Sequence, residues 1–133
     1  MPGLDTNVLV RWLVNDDDEQ VEQVEALFNS ALAEQATLFV PTTMMLELEW
    51  VLRSRYGFDK PAVLHALNAL LGTKELEFQA EPALERALQA YRQGTADFAD
   101  CLHAGLCGAA GRSPLLTFDA RGARLSDVQL LEI

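Results

Sequence analysis

Gly3-Leu4-Asp5-Thr6-Asn7-Val8-Leu9-Val10-Arg11-Trp12-Leu13 opens the chain and decides how the rest is read. Pro2 to Leu4 is a short apolar lead that runs into a carboxylate. Val8, Leu9, Trp12 and Leu13 then recur with helical spacing. The segment therefore reads as a strand ending at Asp5 and a helix starting just beyond it.

The pattern repeats downstream. Asn15-Asp16-Asp17-Asp18-Glu19 places carboxylates at a helix start, where they face unpaired amides and the positive dipole end. That helix continues through Val21, Val24, Leu27, Phe28 and Leu32. Thr37 to Val40 is a β-branched and aromatic run closed by Pro41, and Thr42 or Thr43 can cap the helix after it. That helix carries Leu46, Glu47, Trp50 and Val51 toward Tyr56 and Gly57. Further helices are predicted over about Lys60–Leu71, Pro82–Arg92 and Asp97–Ala110. Strands are predicted at Glu75–Phe78, Pro114–Phe118 and Val128–Leu131. Alternating strands and helices imply a single α/β domain over residues 1–133, with a mostly parallel sheet and helices on both faces. Ligands of such sheets bind at the carboxyl ends of strands, where Asp5 and Asp119 stand.

Half of the 133 residues are hydrophobic and 23% are charged, a composition that excludes disorder. No apolar run approaches the length of a membrane span, and the first residues lack a secretory signal, so a cytoplasmic protein is expected. Cys101 and Cys107 lie six apart on different helical faces. They read as buried free thiols, and with His65 and His103 they make no zinc pattern. The net charge of −10 is unlike that of a duplex-binding protein, which carries a basic stripe. It is compatible with a nuclease in which divalent cations supply the positive charge at the reacting phosphate. Eight of the ten basic residues are arginine, the side chain best shaped for phosphate.

Four carboxylates occupy unusual places. Asp5 ends the first strand, and Glu47 stands among Met44, Met45, Leu46, Leu48 and Trp50. Asp100 shares a helix face with Asp97 on an otherwise Ala-, Leu- and Gly-rich helix, and Asp119 follows an apolar strand. Each has a structural alternative: Asp5 and Asp97 as helix caps, Asp119 as a turn residue before Gly122. Glu47 and Asp100 are harder to explain that way, because acids are rarely buried without a partner. Glu49 is assigned to solvent. Converging acids repel one another, and a divalent cation removes that penalty. Carboxylate oxygens select magnesium or manganese over zinc. Spacing alone does not name the substrate.

At these residues the chain resembles PIN domains, in particular VapC-like toxins of type II toxin–antitoxin pairs. The likeness rests on Gly3–Arg11, on Glu47-Leu48-Glu49-Trp50-Val51-Leu52-Arg53 with Tyr56-Gly57, on Asp97-Phe98-Ala99-Asp100-Cys101-Leu102-His103-Ala104, and on Leu116-Thr117-Phe118-Asp119. The blocks fall in family order over nearly the whole chain. The resemblance implies a PIN fold with five strands in the order 3-2-1-4-5 and endoribonuclease activity dependent on Mg2+ or Mn2+. It also implies an RNA substrate, a cognate antitoxin with a basic C-terminal segment, and a homodimer. Asp5, Glu47, Asp100 and Asp119 fall on the family's four acidic positions and Asp97 on an additional frequent acid. Thr6 and Asn7 flank the first acid, and Thr117 is the hydroxyl residue before the last. The family often has a basic residue directly after the last acid, whereas here Ala120 intervenes before Arg121. A non-catalytic binding module that keeps the fold is one rival reading, opposed by intact acids at all four positions, and a phosphatase of the haloacid-dehalogenase type is the other. It needs a second aspartate two residues after the first, where this chain has Asn7. His103 is read as a helix-surface residue.

Overall fold

A computed structural model describes residues 2–131 as two compact units, one up to Gln79 and one from Ala80 onward. The first holds helices α1 (Thr6–Leu13), α2 (Asp18–Ala33), α3 (Thr42–Ser54) and α4 (Lys60–Leu71) with strands β1 (Leu38–Val40) and β2 (Leu76–Phe78). The second holds α5 (Glu81–Gln93), α6 (Phe98–Ala109), β3 (Leu115–Thr117), a 3-10 turn at Gly122–Arg124 and β4 (Val128–Leu130).

Helix starts follow the acids. Asp17 caps α2 by accepting from the Gln20 amide at 3.1 Å, and Asp59 caps α4 by accepting from Ala62 at 2.9 Å. The start of α3 differs from expectation. Pro41 occupies the cap position without a side-chain bond. Thr42 is instead a buried first-turn residue whose amide and hydroxyl both reach Gln79 Oε1, at 3.0 and 3.3 Å. The glutamine does the work expected of a threonine cap.

β1 and β2 pair in parallel, Leu38 opposite Leu76 and Val40 opposite Phe78. The expected first strand, Pro2–Leu4, is reduced to one parallel bridge between Gly3 and Phe39. Two bonds hold it: Leu4 N–H to the Phe39 carbonyl at 2.8 Å, and Phe39 N–H to the Pro2 carbonyl at 2.9 Å. Pro2 has no N–H to extend the ladder in the other direction. With Pro2–Leu4 counted as the first of five strands, the first unit holds neighbours 3-2-1, which are β2, β1 and that segment, while β3 and β4, the fourth and fifth, pair in parallel in the second unit. Among the described residues the ladders are two separate two-stranded sheets of three-residue strands, not one continuous five-stranded sheet.

Leu9, Val40, Met45, Leu48, Leu52, Val63, Leu67 and Leu70 are fully buried in the first unit. In the second, α5 and α6 pack closely around Leu84, Phe98 and Leu102, with Tyr91 tilted against Phe98 at 5.5 Å. Gly105 permits that closeness, since a Cβ there would lie 2.9 Å from the Ala83 carbonyl oxygen. Cys101 is buried as expected, whereas Cys107 is only half-buried, and neither is in a disulfide. No helix among the described residues is long and apolar enough to cross a membrane.

Candidate active site

Asp5 is the N-cap of α1, and its Oδ1 accepts from the Thr6 amide at 2.7 Å. The capping alternative is therefore real, but it engages one oxygen, and the residue is exposed. Thr6 is buried beneath it and donates its hydroxyl to Met44 Sδ at 3.3 Å, which ties the start of α1 to α3 one turn ahead of Glu47. Asn7 is exposed and lines a cavity of about 290 Å³ with Arg11, Gln20 and Gln23. Arg11 fixes this corner. It donates to Asp16 at 2.7 Å, to Gln20 at 2.6 Å and to the Tyr56 hydroxyl at 3.2 Å.

The two glutamates of α3 exchange the environments expected of them. Glu47 is exposed, whereas Glu49 is only 4% exposed and pairs bidentately with Arg53, at 2.9 and 3.4 Å. The helical period explains it. Met45, Leu48, Glu49 and Leu52 form the i, i+3, i+4, i+7 stripe that faces inward, while Glu47 lies two residues, or about 200°, from Met45 and Glu49. Assigning Glu49 to solvent was wrong. The apolar neighbours of Glu47 in sequence did not make it buried.

In the second unit the structure brings Asp97, Asp100 and Asp119 into one electrostatic neighbourhood. Asp97 stands at the N-cap of α6 yet makes no capping hydrogen bond, so its carboxylate is not absorbed by the helix. Asp100, in the first turn, is half-buried. Desolvation, followed by the charges of Asp119 and Asp97, pushes its carboxyl above the ordinary 3.8, against the opposing charge of His103. Asp119 forms a tight turn. Its amide donates to Thr117 Oγ1 at 3.0 Å, and its Oδ1 accepts from the Arg121 amide at 2.9 Å. Here too the turn alternative is correct and leaves the second oxygen uncommitted. Thr117 is explained by its hydroxyl, which holds the turn rather than the acid.

Gly122 was noticed in the sequence only as a turn signal. It is buried, and a Cβ on it would sit 3.2 Å from Asp100 Oδ2 and 3.3 Å from its Cγ. The turn after Asp119 therefore lies directly on the Asp100 carboxylate. The chemistry of the donors suits a hard divalent cation: carboxylates only, mutually repelling, one with a raised pKa. No group of three or more His, Cys, Asp or Glu side chains among the described residues is gathered so as to hold a metal ion.

The model of the PIN domain family matches residues 4–128 and so spans both units. The chain belongs to the PIN domain family. This PIN domain is 28% identical over 127 residues to a VapC ribonuclease of Aquifex aeolicus, covering 94% of this chain and 92% of that one. A crystal structure of VapBC2 from Rickettsia felis bound to a DNA fragment from their promoter aligns over 98% of this chain and 96% of that chain. Its TM-score is 0.40 and its identity 19%.

Proposed function

We propose that this PIN domain is an endoribonuclease dependent on Mg2+ or Mn2+, and the toxin of a toxin–antitoxin pair. The two units would act as one domain over residues 1–133. The observation that carries this reading is the gathering of Asp97, Asp100 and Asp119, where burial and then the charges of Asp119 and Asp97 hold the Asp100 carboxyl above its ordinary value, in a PIN domain 28% identical to a VapC ribonuclease. Repulsion of that kind is relieved by a bound cation.

Asp5, Glu47, Asp100 and Asp119 would hold the ion, directly or through water, with Asp97 adding charge. A bound divalent ion supplies charge neutralisation at the phosphate and lowers the pKa of the attacking water. The chain's own residues keep the ligands in place. Thr6 anchors the start of α1, Asn7 flanks the first acid, and Thr117 braces the Asp119 turn. No serine or histidine nucleophile is required.

The partner proposed is an antitoxin whose basic C-terminal segment is attracted by the net charge of −10. Trp12, stacked on Phe28 at 4.1 Å, and Trp50 are exposed aromatic anchors for its apolar side chains. A homodimer in the cytoplasm completes the reading. Exposed Leu116 in β3 and Phe118 directly after it are suited to a protein contact.

The test is cleavage of single-stranded RNA with magnesium, with manganese and with EDTA. Metal-dependent cleavage is expected, abolished in folded Asp5→Asn and Asp100→Asn proteins. Cleavage undiminished by EDTA, or either variant retaining wild-type activity, would overturn the assignment. Hydrolysis of a phosphate monoester in place of RNA would favour the phosphatase reading.

A further inference from the structure

Arg121 and Arg124 flank Gly122, the residue that rests on the Asp100 carboxylate. Both are exposed. The Arg121 backbone is pinned beside the acid site by its amide bond to Asp119 Oδ1 at 2.9 Å. Arg124 reaches back with Nη1 to Thr95 Oγ1 at 3.4 Å, two residues ahead of Asp97. One cation is thus attached to the turn that carries Asp119, and the other bridges from it to the segment that leads into Asp97 and Asp100.

What matters is what these arginines do not do. The chain has 20 acids against 10 bases, and three of those acids are close by. Yet, unlike Arg11 with Asp16 and Arg53 with Glu49, neither Arg121 nor Arg124 takes part in an ion pair among the described residues. A guanidinium folded onto the acids would compete with a divalent cation for the same oxygens. Left out of such pairs, it keeps donors of its fork for an anion arriving from solvent.

We infer that Arg121 and Arg124 form a cationic rim beside Asp97, Asp100 and Asp119 and grip the backbone of single-stranded RNA, each neutralising one phosphate adjacent to the cleaved linkage. This rests on the nuclease reading above and deepens it. The rim supplies the local positive charge that the acidic chain as a whole lacks. It binds phosphate and carries no base preference.

The experiment uses the full chain carrying Asp100→Asn, a fluorescein-labelled single-stranded RNA of mixed sequence, and fluorescence anisotropy from 25 to 200 mM KCl. Adding Arg121→Gln or Arg124→Gln should weaken binding about tenfold at low salt. Each should also flatten the slope of log Kd against log salt by about 0.7, one phosphate contact on a single strand. Arg124→Lys should keep the slope while losing part of the affinity. In the otherwise wild-type chain, either glutamine variant should raise KM and leave kcat within about twofold. A merely structural arginine would not move the salt slope. Unchanged slopes in both glutamine variants, with the parent binding RNA normally, would overturn the rim and leave the nuclease reading intact. A parent that binds no RNA at any salt, from a wild type that cleaves none, would overturn both.

Discussion

The contact between α5 and α6 allows a prediction in which the sign itself is the test. A Cβ on Gly105 would meet the Ala83 carbonyl oxygen at 2.9 Å and its carbonyl carbon at 3.6 Å. Both atoms are backbone of a buried residue, so the clash is relieved only by moving one helix a few tenths of an ångström from the other. Overpacking of this kind costs about 1–3 kcal/mol. Replacing a mid-helix glycine by alanine returns about 1 kcal/mol of helix propensity. Gly105→Ala should therefore be destabilised by about 1 kcal/mol, a fall in Tm of about 4 °C for a chain of this size. Gly108, on the same helix, isolates the propensity term. Its Cβ would lie 3.7 Å from Ser113 Oγ, an ordinary contact, so Gly108→Ala should melt at or up to about 4 °C above wild type. Gly105→Val, with two further methyls aimed at α5, should lose over about 3 kcal/mol. The assay is thermal and urea unfolding of all four proteins, checked for two-state behaviour. If Gly105→Ala melted as high as Gly108→Ala, α5 and α6 would not be held in backbone contact. α6 would then not be fixed by packing when it presents Asp97 and Asp100.

Asp100 carries a pH dependence whose sign follows from its raised carboxyl. The folded state binds the proton more tightly than the unfolded one, so this contribution to stability is present below the ordinary value of 3.8 and is lost as pH rises through the raised one. In EDTA, the stability of wild type relative to Asp100→Asn should thus decline over that interval and level off above it. A gap that widens in wild type's favour as pH rises would show that the ionised carboxylate is stabilised. Arg53→Ala should destabilise the fold by about 1–2 kcal/mol, because it strips the bidentate partner from a buried Glu49 while water at the half-exposed arginine softens the loss. No change on urea unfolding would mean that Glu49 is held by its other surroundings. For the antitoxin, affinity of a basic C-terminal peptide should weaken as salt rises, and magnesium should compete with it. Indifference to both, by calorimetry, would move inhibition away from the carboxylates.

The helices were legible because their signals are local. The helix expected over Lys60–Leu71 has those bounds, and the acidic cluster through Asp16, Asp17 and Asp18 marks the start of α2. Strands were less so, since three-residue segments carry little periodicity and the first depends on the partner Phe39 for its only bridge. Glu49 was misplaced for a different reason. With Glu47 taken as inward the helical period turns Glu49 to solvent, but the phase of α3 is set by Met45, Leu48 and Leu52, which turn Glu49 inward. Gly122 was beyond reach, because its meaning lies in an approach to Asp100 across 22 positions.

The acids show why the capping and turn alternatives never competed with the functional one. A carboxylate offers two oxygens and about four acceptor sites. Asp5 uses Oδ1 on the Thr6 amide, and Asp119 uses Oδ1 on the Arg121 amide. Each of these bonds fixes the direction of the remaining oxygen at no side-chain entropy beyond that already lost in forming the helix or turn. A residue that caps is thus a residue already oriented, and orientation is what a ligand to a small hard cation needs. Asp97 is the informative exception. It occupies the cap position without the bond, so the α6 start gives up a stabilising contact of about 1 kcal/mol and leaves its carboxylate charge bearing on Asp100. Asp97→Ala should therefore lose almost none of the stability that an ordinary cap deletion loses. Asp97→Asn should lower the Asp100 carboxyl toward its ordinary value by removing one of the charges that raise it. A fall of several degrees in Tm for Asp97→Ala in EDTA would show that the carboxylate caps α6 in solution, and its place beside Asp100 would then be incidental to the helix start.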